Sequence, residues 1–235
     1  MKIRALILIL LVASAGHLFA QKDKSFGRPN IPGKLILDLG SYGLTNASKE
    51  FESRWFGSKS VGLSYTREKD LTKNLTLNIG IGITSEKISF KSNEVLRVLP
   101  QFGDSIIYTN TASDTTSQSL DKNKLALTFL EIPVEFRFYP LGTDHKTKWF
   151  IGVGGYAGFN FNTHSKYKIR RGETVKQQAD FGQNRFRYGL MLRFGFDSFS
   201  LFGRVGLSEV FDTDNQFYQG QAMRSWTAGI SMNIF

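Results

Sequence analysis

Phe129-Leu-Glu-Ile-Pro-Val-Glu-Phe-Arg-Phe-Tyr-Pro140 is the stretch on which the fold turns. Leu130, Ile132, Val134, Phe136 and Phe138 alternate with Glu131, Pro133, Glu135, Arg137 and Tyr139. That is the two-residue period of a strand with one apolar and one polar face. A helix would turn Leu130 and Ile132 to opposite sides and leave no apolar stripe. Leu130 to Phe138 spans about 26 to 27 Å along a strand, or roughly 20 Å of height once tilted by about 40°. This approaches the apolar band of a membrane barrel.

The same alternation recurs on both sides. Upstream it runs over Lys34–Leu44, Ser58–Arg67 and Leu75–Thr84, continuing weakly to Phe90; downstream it runs over Lys148–Asn162, Phe186–Phe196, Leu201–Ser208 and Met223–Phe235. The expectation is an all-β fold, an eight-stranded antiparallel up-and-down transmembrane β-barrel over 34–235. Connections after the first, third, fifth and seventh of these strands are long and polar, and the others are short. Short periplasmic turns and long extracellular loops have this asymmetry. Tyr65, Phe138, Trp149, Phe196 and Phe199 cluster toward the turns, and Phe90, Phe159, Phe161, Phe186 and Trp226 toward the loops, as two aromatic girdles would. In the longest connection, apolar patches at Val95–Leu99 and Ile106–Tyr108 suit strand extensions or a small hairpin.

The competing fold is a soluble lipocalin-like carrier with its apolar face inward. Gly80, Gly82, Gly152, Gly154, Gly158, Gly189, Gly195, Gly206 and Gly229 lie on the polar faces, and such small residues suit a narrow, side-chain-filled interior better than a solvated exterior.

Composition agrees. There are 21 Phe and 23 Gly among 235 residues, yet mean hydropathy is only −0.21, because apolar residues alternate with polar ones. The absence of Cys excludes disulfides, thiolate metal sites and a Cys nucleophile. Residues 1–20 read as a cleaved signal peptide, with Lys2 and Arg4 before the apolar Ala5–Ala13 and Leu18-Phe19-Ala20 before the cut. That run falls short of the roughly 18 residues of a spanning helix. Residues 21–33 form a polar periplasmic lead. Loss of Lys2 and Arg4 takes the formal charge from +10 to +8. Export argues against nucleic acid as the partner of this basic excess, and an anionic lipid surface is the natural candidate.

With Leu130-Glu131-Ile132-Pro133-Val134 in hand, the chain resembles the PorT-like outer-membrane β-barrel domain family of Gram-negative bacteria. In that family a Leu-Glu-Ile-Pro segment leads the central strand, a Gly-rich strand follows, here Gly152-Val-Gly-Gly-Tyr-Ala-Gly158, and the chain ends in an aromatic, here Phe235. The resemblance spans 21–235 and implies an outer-membrane location. It implies insertion by the barrel-assembly machinery and, for some members, an accessory role in secretion or gliding motility. Phe235 departs from the outward parity of the last strand, since it follows Ile234 directly.

The polar faces carry a lumen charge cluster: Asp38, Glu131, Glu135, Arg137, Arg187, Arg193 and Arg204. Charges in a lumen too narrow for bulk water should pair, because an uncompensated buried charge costs several kcal/mol. The expected result is a salt-bridged plug, with a gate or proton path as the other reading. Neighbouring arginines should keep Glu131 and Glu135 ionised rather than available for acid/base work. Pro133 cannot donate to a ladder, so a strand bulge or one missing hydrogen bond is expected there. His145 and His164 have no partners for hydrolytic or zinc chemistry. Asp212-Thr-Asp214-Asn215 lacks the ligand spacing of a calcium loop. No catalytic residue, metal site or cofactor motif is found.

Lys166, Lys168 and Arg170 share one face of an extended segment, with Arg171 and Lys176 nearby. Just above the outer leaflet they would contact lipopolysaccharide phosphates. The expected function is that of a non-enzymatic, monomeric outer-membrane protein with a filled lumen, meeting lipopolysaccharide or a protein partner through its extracellular loops. The alternative is a narrow channel for small solutes.

Overall fold

The computed structural model describes residues 33–47, 51–54, 57–91, 94–99, 105–110, 120–143, 149–169, 174–213, 218 and 222–234. The expected signal segment at 1–20, the lead at 21–33 up to residue 32, and His145, Arg170, Arg171, Asp214, Asn215 and Phe235 lie outside these residues.

The described residues form eleven strands: β1 (Lys34–Thr45), β2 (Lys59–Asp70), β3 (Leu75–Ser89), β4 (Glu94–Leu99), β5 (Ser105–Asn110), β6 (Leu120–Phe138), β7 (Trp149–Ile169), β8 (Thr174–Gln178), β9 (Phe186–Phe196), β10 (Phe199–Glu209) and β11 (Arg224–Asn233). The order β6-β3-β2-β1-β11-β10-β9-β7 closes on itself through β6–β7, so the wall is an eight-stranded antiparallel barrel. β8 pairs only with the far end of β7, and β4 and β5 form a separate hairpin at the two apolar patches of the longest connection.

Facing follows the pleat. All eleven residues of β9 alternate exposed and buried. Ile81, Ile132 and Leu192 stay more than half exposed, while Arg137 keeps 1% and Glu135 3% of its surface. Greasy residues point out and charges point in, the reverse of a soluble carrier. Phe138, Phe196 and Phe199 are exposed toward the turns, and Phe159, Phe161 and Phe186 toward the loops. Phe90 departs from its expected girdle position and is buried inside the barrel.

Glycines let the walls approach their contents. A Cβ on Gly152 would fall 2.2 Å from Glu135 Oε1, so that glycine makes room for a lumen carboxylate. Asp197 adopts φ 51° in the two-residue turn between β9 and β10, a left-handed conformation that Asp tolerates better than most residues.

Pro133 faces Tyr156 on β7 without a change of register. On the β3 side pairing lapses between Ile79↔Val134 and Gly82↔Glu131 and resumes in the same register. The missing N–H therefore leaves a gap in the ladder and not the bulge that was one expectation. The bulge lies higher: Phe129 opposes Asn160 and Thr128 opposes Asn162, which leaves Phe161 as an extra residue in β7. Asn160 Nδ2 donates to the backbone Thr128 O (3.3 Å), and Thr163 Oγ1 donates to Asn160 Oδ1 (2.9 Å) and so holds that amide in place at the bulge.

The extra residue flips the phase of everything after it. Below the bulge, Gly152, Tyr156 and Asn160 are on the inward parity; above it, Thr163, Ser165 and Tyr167 are buried and Lys166 is exposed.

Ile79→Arg places a charge against lipid near the middle of the wall. We expect a loss of about 2 to 4 kcal/mol, read by urea unfolding in phospholipid vesicles. Asn78→Ser on the inner face should be much milder, and equal tolerance of both would overturn the assigned facing.

Candidate functional site

The lumen holds two charged groups, stacked along the barrel. Nearer the turns, Glu135 lies between Arg137 (Nε to Oε1, 2.7 Å) and Arg193 (Nε to Oε2, 3.2 Å), and Arg193 grips Asp38 with both terminal nitrogens at 3.1 and 3.3 Å. Ser231 bonds both Arg193 and Asp38. Nearer the loops, Glu131 receives Arg204 Nη2 on both oxygens at 2.9 Å and Arg187 Nε at 2.9 Å, while Arg187 Nη1 reaches Glu86 at 2.5 Å. Thr84 also donates to Glu131.

The structure thus brings together all seven charged residues picked out in the sequence. It adds Glu86, which completes two acids and two bases in each group. Glu86 shares the parity of Thr76, Asn78 and Thr84 along β3, which was the signal that could have found it; the weakening of the apolar alternation after Thr84 hid it.

Pairing is reinforced by rings. Arg187 Cζ sits 3.5 Å from the Phe129 centroid, Arg204 3.8 Å from Tyr156 and Arg137 4.6 Å from Phe150. Desolvated guanidiniums over aromatic faces gain electrostatic attraction beyond their ion pairs. A cavity of about 30 Å³ remains beside these groups, lined by Asp38, Asn78, Glu131, Glu135, Arg193 and Arg204 among others. That is room for about one or two waters. Asn78 Oδ1 and Arg204 Nε have no hydrogen-bond partner within the described protein.

Above Phe129 the interior changes character. Tyr42, Phe51, Ile88, Phe90, Leu125, Leu127, Phe181, Phe211, Tyr218 and Met223 form a buried apolar cap. The Phe211 and Tyr218 rings stack at 4.5 Å and 17°, and Phe51 lies 5.6 Å from both. Tyr218 Oη donates to Phe181 O at 2.6 Å. Burial, then the Asp180 charge, pushes the Tyr218 phenol well above its ordinary range.

Outside, the phase set by the Phe161 bulge turns the basic segment away from the lumen. Lys166 and Lys176 are exposed and directly opposed across β7 and β8, and Lys168 is half-buried. Lys87 of β3 stands in the same cross-strand row as His164, through Ala126 of β6, and is exposed. Burial first, and the charges of Lys176, Lys87 and Lys166 next, hold the His164 imidazole below its ordinary value. Among the described residues no group of His, Asp and Glu is placed to hold a metal ion.

An eight-stranded antiparallel barrel with an apolar outer wall and a charged, filled interior is the architecture of an outer-membrane protein. The chain belongs to the outer membrane protein beta-barrel domain family, whose model matches residues 36–213. No curated protein sequence matches it significantly. Among solved structures it is similar to Ail, the attachment invasion locus protein of Yersinia pestis. The crystal structure in complex with the heparin analogue sucrose octasulfate shares 10% identity over 87% of this chain and 100% of that one, with a TM-score of 0.35. A second Ail structure shares 8% identity over 86% and 97% of the two chains, again with a TM-score of 0.35. A mutant porin of Rh. blastica shares 8% over 86% and 99%, with a TM-score of 0.20.

Two outcomes follow. Glu131→Gln leaves Arg187 and Arg204 buried without their shared carboxylate. We expect a loss of about 3 to 5 kcal/mol in vesicle unfolding, against less than about 0.5 kcal/mol for the exposed Lys166→Gln.

His164 should titrate below the ordinary value of about 6.5 by NMR. The folded state then resists its protonation, so stability falls as pH drops from that ordinary value through the lowered folded one. At higher pH His164 is neutral in both states and adds nothing to the pH dependence of stability. Wild type and His164→Gln should diverge only in that window, and divergence above it would contradict the shift.

Proposed function

We propose that this chain is a non-enzymatic, monomeric outer-membrane barrel that does not conduct, and that its working surface is the extracellular rim. The observation that supports this most is the double closure of the lumen, by two ion-paired groups and then by the apolar cap above them. With four acids against four arginines and a water-sized cavity, the interior offers no continuous path for a hydrated solute. Work must then be done at the loop end, against lipopolysaccharide headgroups or a protein partner.

The basic face formed by Lys166, Lys168 and Lys176, with Arg170 and Arg171 between them in sequence, supports the lipid reading. Export through a cleaved signal at 1–20 and insertion by the barrel-assembly machinery fit the same reading. The narrower PorT-like assignment, with an accessory role in secretion or gliding, rests on Leu130–Val134 and the glycine-rich strand after it. The second reading is a narrow solute channel, and the cavity beside Asn78 and Arg204 favours it.

Planar-bilayer recording separates the two. The refolded protein should insert, judged by its heat-modifiable gel shift, and show no discrete current steps in concentrated salt. Reproducible steps in the wild type would establish the channel instead.

A further inference from the structure

The Phe161 bulge does more than turn lysines outward. β9 ends at Phe186 opposite Phe159, and β8 begins to pair at His164↔Gln178, so β7 has no strand neighbour on that side between these points. The gap is an open cleft of about 380 Å³, with Phe161, Asn162, Gln178, Asp180, Gln183 and Arg185 in its lining. Its lining combines the Phe159 and Phe161 rings with the amides of Asn162, Gln178 and Gln183, and includes Asp180 and Arg185, an ion pair at 3.6 Å. The Asn162 and Gln178 side chains make no hydrogen bond among the described residues, although both backbones pair in the ladder. Amides offer paired donors and acceptors to neighbouring hydroxyls, and an aromatic side chain accepts the C–H face of a sugar ring.

Cations crowd the wall next to this cleft in an arrangement that is unfavourable by itself. Lys166 opposes Lys176, and Lys59 opposes Lys87, each directly across adjacent strands. Like charges so placed destabilise a sheet, and among the described residues no carboxylate pairs with any of these four lysines. Lys87, Ala126, His164 and Gln178 stand in one continuous row over β3, β6, β7 and β8, which joins the two lysine pairs to the rim of the cleft. Phe161 lies at the outer aromatic girdle, so the cleft opens at headgroup height. Lys166 is about 16 Å further along the strand.

We propose that this cleft and its lysines form one site for the phosphorylated saccharide headgroup of lipopolysaccharide, with the sugar on Phe161, Asn162 and Gln178 and phosphates on Lys166, Lys176 and Lys87. The site deepens the lipid reading above by naming its ligand and residues. It requires both halves: a basic belt alone would hold any anionic lipid.

The test uses the full chain refolded in zwitterionic detergent and labelled rough lipopolysaccharide, with binding followed by fluorescence anisotropy. Saturable binding should weaken roughly fivefold for each of Lys87, Lys166 and Lys176 changed to Gln. It should fall when the lipopolysaccharide is dephosphorylated. The pair Asn162→Ala with Gln178→Ala should weaken lipopolysaccharide binding while leaving retention on phosphatidylglycerol micelles unchanged.

Equal binding of phosphatidylglycerol and lipopolysaccharide, indifferent to the amide pair, would overturn the saccharide site and leave an unselective basic surface. Wild-type binding in the lysine variants would overturn the site altogether. Each variant is first shown to keep its gel shift. Conductance is recorded separately, so a failure here is distinct from failure of the filled-barrel reading.

Discussion

The constraint on which the rest depends is the cost of charge inside a wall that lipid surrounds. Four carboxylates and four arginines cannot reach water through an apolar band of this height, so each must find its opposite within the lumen. They do so as two neutral groups, Asp38, Glu135, Arg137 and Arg193 below, Glu86, Glu131, Arg187 and Arg204 above. The inner faces then need small residues to admit the long side chains, which is why glycine recurs there. Proline at position 133 is tolerated because its side of the β3 ladder simply lapses for two pairs.

Beyond the bilayer the polarity of the wall inverts. Along β6, Ile132 and Leu130 face lipid, but Leu125 and Leu127 face the interior; along β3, Ile81 and Ile83 point out while Ile88 points in. Water now bathes the outside and the apolar side chains gather within, as in any soluble barrel. The Phe161 bulge carries the same change through β7, where otherwise Lys166 and Lys168 would have turned inward onto the cap. One extra residue thus separates a charged lumen, an apolar cap and a basic exterior.

This inversion marks the limit of what the sequence made legible. In the membrane band, outward apolar and inward polar residues alternate cleanly, so eight strands and their facing could be read from Leu130–Phe138 and its counterparts. Above the band, inward leucines and outward lysines follow a phase that no single rule carries across the boundary. The strands therefore read as ending early: β6 begins nine residues before Phe129 and β7 runs seven beyond Asn162. Glu86 and Phe90 were missed or misplaced for the same reason. The cap could not be foreseen either, because Phe51, Phe181 and the pair Phe211 and Tyr218 come from three separate polar connections and meet only in three dimensions. The cleft depends on where β8 and β9 leave β7 unpartnered, which periodicity does not encode.

A closed, filled lumen should exclude water-soluble reagents, and the lack of cysteine in the sequence permits a direct measurement. Thr227 is on the inner face of β11 with 4% of its surface exposed. In Thr227→Cys, refolded into vesicles, a small water-soluble methanethiosulfonate reagent should leave the thiol unmodified and react fully once urea unfolds the barrel. Fast modification of the folded protein, with the gel shift intact, would show a water-filled lumen and contradict the pairing on which this structure is built.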